Sequence, residues 1–219
     1  MILLPLRLAR HLAGLALFVS LLGGCGLLNA PSQSPTARYA LDSGPPALNP
    51  AKHSGNPAIS PLTLIVSPPH AAAGFDSNHL IYRREPHRLE HFAHSEWIDV
   101  PARMVAPLIV SALEQSGSFR AVVLTPSAAT AELRLDTEIV RLQHEFGPLP
   151  SQVRFTLRAY LLDNTTRQVI AWREFDERIV AESDTPAGGV LAANLAVNRA
   201  IQALATFCAE ATAQRMGKP

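Results

Sequence analysis

The chain has 219 residues, with 19 Lys+Arg against 18 Asp+Glu and a net charge of +1. Charged residues make up 17%, below the usual quarter of a soluble domain, and hydrophobic residues 47%. The length fits one domain that buries its own core, the charge balance argues against a nucleic-acid binder, and two cysteines exclude a disulfide scaffold or a four-cysteine zinc site.

Residues 1–24 contain Arg7 and Arg10 and no acid, with an apolar run from Leu12 to Leu22. That run is short of the ~20 residues of a membrane span. A basic start, a short apolar stretch and small residues before a cleavage point describe a secretory signal. Leu22-Gly23-Gly24-Cys25 resembles the bacterial lipobox. That resemblance implies cleavage before Cys25, a diacylglyceryl thioether on its sulfur and a lipid anchor. Two or three acyl chains anchor stably where one does not. Gly26 stands where an Asp would signal inner-membrane retention, which points to the periplasmic face of the outer membrane. Without residues 1–24 the chain is 195 residues with a net charge of −1. Cys208 then has no thiol partner and reads as a small buried hydrophobe on a helix.

Residues 25–36 have tether composition, with a reach of roughly 20 Å if disordered. The domain is expected over 37–215, with a Pro-rich loop at 42–60. Arg38-Tyr39-Ala40-Leu41 can start a strand, and Leu62–Val66, His79–Arg83 and Leu89–Phe92 read as strands. Helical spacing of Met104, Val105, Leu108, Ile109, Ala112 and Leu113 predicts a helix over 102–116, with Pro101 in its first turn and Gly117 as its stop. Pro107, more than a turn in, should kink that helix or move its start. Phe119–Leu124 is a further strand.

Three long strands follow. Leu133, Leu135, Thr137 and Ile139 alternate with charged residues, and so do Val153, Phe155, Leu157, Ala159 and Leu161 with polar ones. Val169–Val180 returns after the turn Asp163-Asn164-Thr165-Thr166. Period-2 alternation means one covered and one wet face, hence an antiparallel meander. An Ala-rich segment at 187–214 carries a helical stripe, with Thr185 as N-cap before Pro186. The fold class is α+β: a mainly antiparallel sheet with two helices packed on one face.

Few constellations suggest chemistry. His87, His91 and His94 have spacings that share a helix face and could ligate a metal, while on a strand His94 would point away from the other two. The competing reading is a polar surface segment. No Gly-x-Ser-x-Gly elbow occurs, and Gly188-Gly189 lacks the strand that would frame a nucleotide loop. No catalytic set is visible, so no enzyme and no cofactor beyond the Cys25 lipid are expected. Tyr82 and Phe119 read as core. Trp97 is either core or an interface anchor, and Leu149, in a Pro-flanked loop, is an interface candidate.

Together the lipobox, the Tyr39-Ala40-Leu41 start, Leu80-Ile81-Tyr82-Arg83, Trp97 before Pro101, and the turn Ser116-Gly117-Ser118-Phe119-Arg120-Ala121-Val122 resemble the ABC-type transport auxiliary lipoproteins, the PqiC-like family. The resemblance covers roughly 36–214. The Pro-rich 42–60 stretch and the histidine-rich 85–94 segment depart from it. It implies an outer-membrane lipoprotein that docks the MCE-domain protein of an ABC system for intermembrane lipid transport, with homo-oligomers expected. The alternative from another class is a stand-alone periplasmic lipoprotein holding a hydrophobic or metal ligand between sheet and helices.

Overall fold

The computed structural model describes residues 35–42, 60–147 and 149–217. The signal segment, Cys25, most of the tether and the interior of the Pro-rich stretch lie outside the described residues. The described residues from Thr36 onward form one compact unit.

The elements run β1 (Ala37–Tyr39), β2 (Ser60–Val66), β3 (His70–Ala71), β4 (His79–Arg83), β5 (Glu90–Trp97), α1 (Pro101–Gln115), β6 (Phe119–Leu124), β7 (Leu133–Glu145), β8 (Gln152–Asp163), β9 (Val169–Val180) and α2 (Pro186–Met216). The expected meander is present, and its ladders are the longest in the sheet. β7 pairs antiparallel with β8 from Leu133↔Asp163 to Glu145↔Gln152, and β8 pairs with β9. The turn between β8 and β9 is held by the Asp163 carboxylate, which accepts from Thr165 N (2.8 Å) and Thr166 N (2.7 Å). These bonds, the larger from Thr166, and the Arg215 guanidinium hold Asp163 below the usual carboxylate range, against a partial loss of hydration.

The other edge of β7 is shared. Its start pairs parallel with β2, its middle with β3 and its end with β4. β6 flanks β2, and β5 and then β1 extend the sheet beyond β4. The sheet is thus mixed, with short parallel ladders around a dominant antiparallel core. Strand β5 runs five residues past the expected Phe92, and its extension forms the bed for β1: Ala37↔Ser95, Tyr39↔Trp97. β3 is too short to leave a periodic signal.

Both helices lie in one layer, with α2 against β8 and β9 and α1 against α2 and β6. Ala192, Ala193, Ala196 and Ala200 are buried, so the helix backbone approaches the sheet closely. Lower down, Phe207 meets Phe175 of β9 edge-on at 6.0 Å. Thr185 caps α2 by accepting from Gly188 N (3.2 Å), and Pro186 occupies its first turn, as expected. Helix α1 is continuous from Pro101 through Pro107, so its start did not move. Pro107 sits on the exposed side.

Candidate functional site

One end of the sheet gathers the chain's unusual residues. The end of β7, the start of β8, the β4–β5 hairpin and the first turn of α2 meet there. Along β7 alternate residues are buried from Leu133 to Ile139, and then four consecutive residues are: Leu142, Gln143, His144 and Glu145. A register shift between Ile139 and Arg141 moves the inward phase from odd to even positions. Leu142 and His144 therefore join Val153 and Phe155 on the helix side, while Gln143 and Glu145 face the other way.

Glu145 is only 3% exposed, and a buried carboxylate must be paired. Its oxygens accept from Arg83 Nη2 (3.0 Å), Gln143 Nε2 (2.6 Å) and Gln152 Nε2 (3.2 Å). Three donors from three segments fix the base of the β7–β8 loop. That loop backbone also donates to the hairpin, Phe146 N to Arg83 O at 2.9 Å. Arg84 lies over the rings of Tyr82 (4.9 Å) and Phe146 (5.8 Å), which binds the two loops side by side.

On the helix side, His144 Nε2 is 2.9 Å from Ser151 Oγ, and Ser151 donates its hydroxyl proton to Asp184. A hydroxyl has one proton, so Ser151 accepts from His144, which fixes the Nε2–H tautomer. Nδ1 is then a bare acceptor, buried without a partner. Burial lowers the His144 pKa below the usual histidine value, against the opposing pull of the Asp184 charge. The ring meets Phe146 at 4.2 Å with a 31° tilt and packs on Gly189, where an added Cβ would stand 2.6 Å from Nδ1. Gly188 is equally constrained, since a Cβ there would meet Ser183 O at 2.5 Å. The paired glycines let the first turn of α2 sit directly on His144 and Ser183.

This trio is Ser, His and Asp, but the serine lies between the other two and is 0% exposed. A nucleophile needs the histidine between serine and carboxylate. Here the arrangement clasps β7, β8 and the lead into α2. Beside it lies a cavity of about 20 Å³, lined by Leu80, Phe92, Trp97, Leu142, His144 and Gly189 among others. It has room for one water-sized group.

The expected site residues fall as follows. Cys25 lies outside the described residues. Trp97 is 3% exposed, lines the cavity and donates its backbone N–H to Asn78 O (2.7 Å). It is core, and the interface role does not hold, because β1 and β5 carry it beneath the sheet's edge. Tyr82 and Phe119 are buried, as expected. Cys208 is fully buried, and burial pushes its thiol up to about 12, the mark of an inert packing residue. Leu149 is 85% exposed at the tip of the β7–β8 loop.

The three histidines do not converge. His87 occupies the hairpin turn with φ 65°, so it shares neither a helix nor a strand face with His91. His91 stacks instead on His79 at 4.3 Å. Among the described residues no group of three His, Cys, Asp or Glu can hold a metal. The clasp itself was missed in the sequence. Its signals were the consecutive polar residues Gln143-His144-Glu145 inside a strand, and the glycine pair at the start of α2.

The family model described as the ABC-type transport auxiliary lipoprotein component matches residues 39–205. No curated protein matches the chain. Among solved structures, a Xanthomonas campestris protein of family DUF330 superposes with a TM-score of 0.67 at 22% identity, over 84% of this chain and 97% of that one. An uncharacterized protein superposes with a TM-score of 0.61 at 11% identity, over 80% and 99%. At these identities the two structures share the fold.

Proposed function

Because the chain belongs to the ABC-type transport auxiliary lipoprotein family, we propose that it is the docking lipoprotein of an ABC transport system. In this reading Cys25 carries the lipid and holds the domain at the periplasmic face of the outer membrane. The domain receives the MCE-domain protein of the system, whose cargo is a phospholipid or a similar amphiphile. The role is adhesive and positional, without bond chemistry. The family match over 39–205 is the observation that carries the reading.

The loop end suits a docking surface physically. Leu149 stands exposed on a loop whose base is fixed by Glu145 and by the His144–Ser151–Asp184 clasp. An apolar side chain presented from a fixed base reduces the ordering cost of binding, which is how a small contact becomes an anchor. The test is crosslinking in intact envelopes, followed by purification through a tag on this chain. Recovery of an MCE-domain protein and its ABC components supports the reading. Their absence, with the bait well recovered, refutes it. Density fractionation of wild type and Cys25→Ala checks the address: the wild type should follow outer-membrane markers, and the variant should leave the membrane fraction.

A further inference from the structure

The face of the meander turned away from the helices has its own chemistry. Directly opposed residues of neighbouring strands share a face, and two adjacent rows cross β7, β8 and β9 there: Asp136–Tyr160–Trp172 and Glu138–Arg158–Glu174. His70 of β3 pairs with Glu138 and extends the second row. Trp172 is 61% exposed, and its ring lies at 27° to that of Tyr160 with centroids 6.4 Å apart. Beside Tyr160 runs a groove of about 290 Å³, lined by His70, Asp136, Thr137, Glu138 and Tyr160. That volume is close to the lower end for small-molecule sites.

The charged groups along this face are already paired. Arg134 Nε donates to Asp136 (2.8 Å), and Arg158 bridges Glu138 (3.2 Å) and Glu174 (2.9 Å). A cation therefore meets carboxylates that guanidiniums already hold, and an anion meets three carboxylates. Hydrogen-bonding capacity remains. The bonds to each carboxylate fall on a single oxygen: Asp136 Oδ1, Glu138 Oε2 and Glu174 Oε2. The other oxygen of each keeps its lone pairs for a ligand hydroxyl, and the ion pairs fix the planes of the carboxylates. The Tyr160 hydroxyl has no hydrogen-bond partner among the described residues, and it can both donate and accept.

Fixed planar acceptors around an exposed aromatic pair suit a ligand with hydroxyls on its rim and C–H groups on its faces. A sugar ring has that form. Its C–H faces pack on aromatic rings, and its hydroxyls donate to carboxylates without bringing charge of their own. The row from β7 to β9 spans about 10 Å, the length of a disaccharide.

We propose that this face binds an uncharged glycan chain, with sugar faces on Tyr160 and Trp172 and sugar hydroxyls on Asp136, Glu138 and Glu174. The site needs no transport partner, so it stands or falls separately from the docking role.

The test uses the full-length lipoprotein in a polyoxyethylene detergent, which carries no sugar headgroup. Chitotetraose, cellotetraose and maltotetraose are titrated by calorimetry and by tryptophan emission. The chain has two tryptophans, and Trp97 is buried, so Trp172 is the one that reports a ligand. At least one tetrasaccharide should bind saturably below about 10 mM. Its affinity should change less than twofold between about 50 and 500 mM salt, because an uncharged ligand is not screened. Trp172→Ala and Glu138→Ala should each weaken binding at least tenfold in calorimetry, with the unfolding midpoint of Trp172→Ala unchanged. Absence of binding by all three sugars up to about 10 mM overturns the proposal. So does binding that both variants leave intact, or binding that collapses with added salt as an ionic ligand's would.

Discussion

Replacing Gly189 with alanine tests the clasp through the sign of one number. Glycine inside a helix costs about 1 kcal/mol relative to alanine, so an unconstrained change here would stabilise α2 by about that much. Position 189 is constrained. The new Cβ would stand 2.6 Å from His144 Nδ1, 3.2 Å from Cε1 and 3.3 Å from Cγ. The ring cannot yield cheaply, because Ser151 holds Nε2 at 2.9 Å and the Phe146 ring packs against it at 4.2 Å. Overpacking of this kind costs about 1–3 kcal/mol. Losing the His144–Ser151 bond while both groups stay buried adds about 1–3 kcal/mol. Offset by the helical gain, Gly189→Ala should lower stability by roughly 1–5 kcal/mol in urea unfolding. In a His144→Ala background the same change should become neutral or stabilising, and the double-mutant cycle reports the contact directly. A wild-type background in which Gly189→Ala stabilises the fold would refute the packing argument.

Three further outcomes follow from the same geometry. The lowered His144 pKa means that the unfolded chain takes up the proton first as pH falls. Stability from this group is present above the unfolded histidine value of about 6.5 and is lost as pH falls toward the folded value, at up to about 1.4 kcal/mol per pH unit; urea midpoints across that range should slope in wild type and flatten in His144→Ala. Trp97→Ala should cost about 3–5 kcal/mol in the same assay, as a buried aromatic beside a cavity. Leu149→Glu should leave the unfolding midpoint within about 0.5 kcal/mol of wild type and reduce recovery of the transport partner in crosslinked envelopes; an unchanged recovery removes this loop from the docking surface.

The elements legible in the sequence are those whose burial is one-sided. Leu133 to Ile139 and Val153 to Leu161 alternate because one sheet face meets α2 and the other meets water, and the structure returns that pattern except at Thr156, which is buried on the outer face and donates its hydroxyl to Asp176 (2.7 Å). The stripe of α2 and its Thr185 cap were legible for the same reason. The parallel ladders were not. β2, β3 and β4 each touch β7 over two or three residues, and nothing in a five-residue apolar run states which neighbour it will meet or in which direction. Trp97 was ambiguous because a large aromatic serves cores and interfaces alike, and β1, the strand that helps to cover it, is only three residues long.

The clasp was hidden by a change of phase. Alternation read forward from Leu133 assigns the inward side to odd positions, which would place Gln143 and Glu145 toward the helix and His144 in water. The shift after Ile139 reverses this, so that His144 turns inward and the glutamate turns toward Arg83 and Gln152. No local propensity announces the extra residue. It is stabilised by what lies at the end of the strand: Ser151 and Asp184 for the histidine, three donors for the carboxylate, and two glycines that admit the helix. Those partners are spread from Arg83 to Gly189, so the site exists only once the sheet and α2 have docked. The residues that fix the loop end are therefore tertiary in origin. Leu149, whose exposure needs no tertiary partner, is the part of that end the sequence displayed.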